Sequence, residues 1–489
     1  MKIKYLSEKD KQTLRVLRQT TELSEIAEVL EQRLKNQPTL YAIWEYRKWL
    51  FRLEEETYRQ RPALAYGLII IYILSGRLQE AQILLEQFPE HEKGTLLCKL
   101  FFPGYELKQQ EQIIVKLRES GTFPDKNMIL TAGRPSIING VWDLTPYIGA
   151  LEQEKEQVQV QLEHIFGEVA SSIYNIAKAE RLYYQDKCYE ALVSVVGLMP
   201  FLKEHNEMQF LFVALTLEVF IMVQNGQTPS TVPMMDNVRK QIRAAGAEEY
   251  LPNIDALDAW AAMYDGDYSR VTKWMREGAP DEYSKFCMLD LFRYLVKMRA
   301  YIIQEKHLAV TNLAIKLLPL LEAGKRFMDL CELHMLWAIS DYAAERKEEA
   351  FEHLEKAMEL SEKYHYDRLL ADEGLRVWEI MKAYKASHSV NAYFKGIMKM
   401  TEKSALLFPR YLKCQLPKKP ALTEAELRIL RLLQYNYTNA QVAKEVGIAL
   451  ETVKKHCNHI IEKLEVKNRH QAVAKAIEYG ILEPGKNRI

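Results

Sequence analysis

Thr438-Asn439-Ala440-Gln441-Val442-Ala443-Lys444-Glu445-Val446-Gly447-Ile448-Ala449-Leu450-Glu451-Thr452-Val453-Lys454-Lys455-His456-Cys457-Asn458-His459-Ile460-Ile461 is the stretch that decides how this chain is read. Thr438 followed three residues later by Gln441 forms a capping box, in which hydroxyl and amide satisfy the orphan amides of a helix start. The helix that opens there is short, with Val442, Ala443 and Val446 inward. Gly447-Ile448-Ala449 then makes a tight turn into a longer helix, Leu450–Leu464. Val453, Ile460, Ile461 and Leu464 recur at helical spacing on one apolar face of it. Thr452, Lys454, Lys455, Asn458, His459 and Lys463 cover the rest. A short helix, a three-residue glycine turn and a second helix is the helix-turn-helix layout. Lysines and amides near the start of an exposed helix reach phosphates and base edges in a major groove. A solvated basic face is the plainer reading of the same stripe.

The flanks extend the pattern. Thr423-Glu424-Ala425-Glu426 is another capping box, and Leu427, Leu430 and Leu433, with Ile429 and Leu432 beside them, predict a preceding helix. Asn436 suits the left-handed residue that ends it. Asn468 caps a last helix, about Arg469–Tyr479, which stops at Gly480. Upstream, Leu416-Pro417-Lys418-Lys419-Pro420 is a short basic linker that isolates the segment.

In this order the residues closely resemble the LuxR-type (NarL/FixJ-like) DNA-binding domain, nearly without gaps over 422–484. The resemblance implies a four-helix fold whose Thr-Val-Lys-x-His helix is the recognition helix. It implies groove contacts from Lys454, Lys455 and Asn458, and phosphate contacts from Thr452, Lys463, Asn468 and Arg469. It also implies that the last helix pairs two copies through Gln471, Val473, Ala474 and Ile477. Three positions depart from the pattern. Ala449 stands where the family has a Ser or Thr cap, leaving a helix amide without its side-chain partner, a loss of about 1 kcal/mol. Asn436 replaces a glycine, and Thr423-Glu424 replaces Thr-Pro. His456 reads as a packed or hydrogen-bonded scaffold residue, and Cys457 as a small buried filler.

Before the linker, amphipathic helices of 12–20 residues dominate, without the sustained alternation of a sheet. They repeat. Ser75-Gly76-Arg77-Leu78-Gln79-Glu80-Ala81 has relatives ending at Ala191, Val271, Val310 and Ala350, spaced by 80, 39 and 40 residues. The period is near 40, with one degenerate unit between 191 and 271. A helix pair cannot bury its apolar face alone, so such units stack into a superhelix. Gln60-Arg61-Pro62-Ala63-Leu64 and the Ser75–Ala81 motif are similar to the start of the helical-repeat region of MalT-like regulators, which carry an ATPase ahead of it. No G-x-x-x-x-G-K-[ST] occurs in this chain, and Ala323-Gly324-Lys325-Arg326 lacks both the first glycine and the Ser/Thr.

The expected fold is all-α: a tetratricopeptide-like helical-repeat superhelix followed by a four-helix LuxR-type domain. Its parts are an N-terminal helical repeat region at 1–120, a loop or insertion at 121–150 and a helical repeat sensor domain at 151–410. A linker at 411–421 and the DNA-binding domain at 422–489 complete it. Gly133-Arg134-Pro135-Ser136, Asn139-Gly140 and Thr145-Pro146 mark the loop.

Charge fits this division. The 489 residues hold 66 Lys+Arg and 66 Asp+Glu, which taken as a total argues against nucleic acid. Residues 418–489 carry 13 basic and 8 acidic side chains, however, so a cationic module follows a body of net charge −5. A module of that sign suits phosphate, and an acidic body that docks on it would hold it off DNA. Pro62–Leu74 and Phe210–Val223 are too short to span a membrane and read as buried helices. Six dispersed cysteines without a CxxC pair, and an N-terminus without a secretory apolar run, point to the cytoplasm.

His353 and His365 near Glu349, Glu352 and Asp367 read as surface pairs, and no hydrolase or metalloprotease motif occurs. No enzyme activity, cofactor or metal is expected. Tyr183, Tyr184, Trp260, Tyr264, Trp274 and Trp337 read as core, with a ligand groove as the alternative. The sequence therefore predicts a transcription regulator that binds double-stranded DNA as a homodimer. Its repeats would respond to a peptide, protein or small-molecule effector. The competing class is a tetratricopeptide-like adaptor whose last domain binds protein.

Overall fold

The structure is a computed structural model. It describes residues 5–36, 38–103, 107–119, 134–140, 143–145, 153, 155–205, 207–409, 411–412, 422–464, 466, 468–478 and 481–482. Among these residues the regular elements are helices, and one isolated antiparallel bridge joins Asn139 to Asp143. The chain divides into two compact units, Met1–Lys413 and Cys414–Ile489. The described part of each has its own apolar core.

The repeat in the first unit is written in its turns. Gly76, Asp186, Gly226, Gly266, Glu305 and Glu345 all adopt positive φ. After each, the next amide bonds back six residues: Arg77 to Tyr72, Lys187 to Leu182, Gln227 to Met222, Asp267 to Ala262, Lys306 to Tyr301 and Arg346 to Asp341, at 2.8–2.9 Å. This Schellman closure satisfies carbonyls that a helix end leaves orphaned. The next helix then starts, and the fifth residue after the left-handed one is a buried anchor: Ala81, Ala191, Thr231, Val271, Val310 or Ala350, none more than 2% exposed. Thr231 supplies the degenerate unit, its hydroxyl bonded to the Thr228 carbonyl at 2.7 Å rather than left unpaired. The Ala323–Arg326 segment is one of the turns between pairs: Lys325 takes positive φ and Arg326 bonds to Asp329.

The two helices of a pair differ. Second helices bury one stripe, as in Ala191, Val195, Met199 and Leu202 of Cys188–Glu204. First helices are buried nearly all round. Every residue of Leu291–Ile303 is buried, and Met208–Gln224 is buried without a break from Gln209 to Leu217. Pro62–Leu74, the other long apolar run, is likewise a buried helix. No helix among the described residues is long and apolar enough to cross a membrane.

First helices are also where charge is buried, and it is paired, as burial of ions demands. Arg299 bonds Glu332 through Nη1 and Glu373 through Nε, both at 2.8 Å. Burial pushes the Glu332 carboxyl up, but Arg134 and Arg299 outweigh it and hold it below the usual range.

Of the loop expected at 121–150, residues 134–140 and 143–145 are described, and the rest lies outside the described residues. Arg134, Ser136, Ile137, Ile138, Asn139 and Thr145 are at most 4% exposed, packed against first helices. Of the linker expected at 411–421, Tyr411 and Leu412 are described and belong to the first unit. Tyr411 stacks on Tyr264 at 3.9 Å and donates to Glu373 at 2.9 Å.

The second unit contains Glu424–Gln434, Asn439–Val446, Leu450–Lys463 and Arg469–Glu478. Both capping boxes form, at Thr423/Glu426 and Thr438/Gln441. Asn436 and Gly447 take the left-handed conformation at the two following turns. The Gly480 stop lies outside the described residues.

Candidate nucleic-acid interface

The helix Leu450–Lys463 owes its placement to one stripe. Val453, Cys457, Ile460 and the following Leu464 enter the domain core beside Ile429, Leu430, Leu433, Val442, Ala472 and Ala476. Turning 100° per residue, this stripe leaves Glu451, Lys455, Asn458 and Glu462 on the opposite side, with Lys454 and Thr452 on its flanks. All six are exposed. The side facing solvent thus combines two lysines, an amide and two carboxylates. Lys454 Nζ holds Glu451 Oε1 at 2.7 Å, an exposed pair of little energetic weight. Glu451 was not among the sequence-predicted contacts. Its signal was its place one turn before Lys455, and a carboxylate in a major groove accepts from cytosine N4.

The other predicted contacts have structural partners. Lys463 Nζ lies 2.8 Å from Glu426 Oε2, and the Glu426 side chain is 3% exposed. That oxygen also accepts the Thr423 amide at 2.7 Å. Burial pushes Glu426 up, but Lys463 and the Thr423 contacts outweigh it, so its carboxyl sits below the usual range. Lys463 therefore ties the recognition helix to the first helix of the domain. Asn468 Oδ1 accepts the Gln471 amide at 2.9 Å and caps the last helix. Arg469 is half-buried. Ala449 is the cap residue of the recognition helix and provides no side-chain bond.

On the last helix, Gln471 and Ala474 are exposed, while Val473 and Ile477 are half-buried and pack on the domain's own core. Cys457 is a buried filler, its thiol pushed up by burial and placed 3.9 Å from Asn439 Oδ1. His456 is half-buried. Glu426, His456 and His459 bring potential ligand atoms within 4.8 Å of one another. The Lys463 ammonium already neutralises Glu426 there and opposes a second cation.

In the first unit, Tyr183, Tyr184, Trp260 and Tyr264 line a cavity of about 40 Å³ together with Arg134, Arg299, Glu332 and Glu373. Trp274 is buried core. His353, expected on the surface, stacks on Trp337 at 4.1 Å and reaches His334 Nδ1 at 3.1 Å, because its helix turns that face toward Phe327–Ala343. His365 is the left-handed residue that ends Lys347–Tyr364.

Residues 420–476 match the model of the luxR family of bacterial regulatory proteins. The response regulator protein VraR of Staphylococcus aureus (strain NCTC 8325 / PS 47) is 40% identical over 62 residues, covering 13% of this chain and 30% of that protein. Counterparts of the same name in Staphylococcus epidermidis and Staphylococcus saprophyticus match with the same identity and coverage. The chain thus spans about 30% of the length of these curated relatives, within its C-terminal unit. With its two capping boxes, its glycine turn and a polar-faced second helix, the segment 420–476 belongs to the luxR family of bacterial regulatory proteins and is a helix-turn-helix domain.

Proposed function

We propose that this chain is a DNA-binding transcriptional regulator that senses an effector through its helix-pair unit and acts through its C-terminal domain. The exposed Lys455–Asn458 face of a helix-turn-helix domain of the luxR family carries the reading. Lys455 and Asn458 would enter the major groove, with Lys454 and Thr452 on the adjoining backbone. Lys463 and Asn468 contribute mainly by holding the domain together. Two copies paired through Gln471, Val473, Ala474 and Ile477 would read half-sites about one turn apart. Effector and DNA would be coupled by linkage, each favouring the same arrangement of the chain. A Lys454→Ala, Lys455→Ala double variant should bind operator-containing fragments more weakly. Its log–log salt slope should be shallower by roughly 2, about 0.9 per lost phosphate contact. An unchanged affinity and slope would reject the assignment.

A further inference from the structure

The chain's own residues 134–140 lie in the first unit as a bound peptide would. Arg134 Nη1 stands 2.9 Å from Asp329 Oδ1 and 2.6 Å from Glu332 Oε2. Pro135 O accepts the Thr216 hydroxyl at 3.2 Å. Glu180 Oε2 accepts both the Ile137 and Ile138 amides at 2.9 Å. Arg326 donates to the carbonyls of Gly140 at 3.0 Å and Asn139 at 3.3 Å. The wall therefore reads main-chain groups of five residues and the side chain of one. Those wall residues come from Ala170–Tyr184, Met208–Gln224 and Phe327–Ala343 with the turn before it.

Main-chain recognition of this kind is indifferent to which chain supplies the amides. Charge sets the preference. Without Arg134, the carboxylates Glu180, Asp329 and Glu332 face the guanidiniums of Arg299 and Arg326, and Glu373 already shares Arg299. The empty slot is acidic and asks for a cation where Arg134 sits. Its present occupant fits imperfectly: the Asn139 side chain is fully buried, yet neither its oxygen nor its nitrogen has a partner among the described residues. A buried amide left unpaired costs about 1–3 kcal/mol, so a better-matched sequence has room to compete. The slot also selects for size. Side chains 0–4% exposed at Arg134, Ser136, Ile137, Ile138 and Asn139 leave space for a single strand of chain and none for a folded partner.

We propose that this slot is the effector site, that its ligand is a short extended peptide bearing an arginine followed by small and aliphatic residues, and that 134–140 is a built-in occupant which the peptide displaces. The proposal deepens the sensing part of the function above and rests on it for the word effector, but not for the binding.

The test uses the full chain with residues 134–140 replaced by glycine and serine, and a fluorescent, end-blocked peptide of sequence Arg-Pro-Ser-Ile-Ile-Asn-Gly. The replaced chain, with helical circular dichroism like the unmodified one, should bind this peptide measurably. It should bind the same peptide with alanine for arginine roughly tenfold more weakly, the scale of one charge-assisted contact. The unmodified chain should bind far more weakly, because its tethered segment competes at an effective concentration in the range of about millimolar. A folded replaced chain that ignores the peptide, or that takes both peptides alike, overturns the proposal. If the replacement does not fold, hydrogen exchange on the unmodified chain decides. Excess peptide should speed exchange at the Ile137 and Ile138 amides and the alanine peptide should not; no change overturns it. Peptide binding without DNA binding would reject the regulator and leave the slot standing, and the reverse would do the opposite.

Discussion

At the residue scale, Lys463 shows how one side chain is claimed by two roles. Its place near the end of the recognition helix suits a phosphate, whereas its bond to a carboxylate 3% exposed makes it a strut. Removing one partner of a buried pair leaves the other charge uncompensated, which costs about 3–5 kcal/mol when burial is complete and less at a half-exposed lysine. Lys463→Ala should therefore lower the melting midpoint of the C-terminal domain by several degrees while changing the DNA salt slope less than Lys455→Ala does. Paired thermal melts and salt titrations of the two variants separate the roles, and the opposite ranking would restore Lys463 to the phosphate contacts. The sequence showed Lys463 as one more exposed lysine, since a partner 37 residues away leaves no local mark.

At the element scale, the helix pair is the working unit, and its turn decides its register. Three of the six repeat turns place Asp186, Glu305 or Glu345 at positive φ, where an L side chain loses roughly 1–2 kcal/mol relative to glycine. That irregularity hid the unit at 226–231 from a search for small anchors, because Thr231 is a buried anchor with a self-satisfied hydroxyl. Pairing also creates titratable interiors. Burial pushes His334 and His353 down to about 4, with Lys356 lowering both further and Glu349 opposing this at His353. Asp341 stands 3.8 Å from His353 Nε2 and Trp337 covers its ring. The folded state thus prefers both rings neutral, while the unfolded chain takes up protons below about 6.5. Stability from this pair is present above that pH and is lost as pH falls toward 4. Melts of the full chain should show the repeat unit weakening between pH 7 and pH 5. A His334→Gln, His353→Gln variant should show a flatter decline over the same range. An equal slope in both chains would remove the histidines from the account.

At the scale of the whole molecule, two units with separate apolar cores should unfold as separate events. Calorimetry of the full chain should resolve two transitions, and Val453→Ala, a cavity in the smaller core, should lower one of them and leave the other in place. A single transition that moves as a whole would contradict independent units. The same division explains the neutral total charge, which sums an acidic body and a basic module. What the sequence determined by itself was local and periodic. Capping boxes, the glycine turn, the apolar stripe of the recognition helix and a spacing near 40 are all set by residues within a turn or two of one another. Helix geometry converts such spacing directly into faces and boundaries. What only the tertiary structure decided was long-range pairing. That Arg134 meets Asp329 195 positions later, that Glu180 takes two amides of 134–140 and that Thr145 meets Tyr366 depend on which helices stack. A punctuated stretch of glycine, proline and asparagine read as a surface loop. The array buries it because its main-chain groups find partners on first helices whose charges require them, and such partners are fixed by packing rather than by spacing.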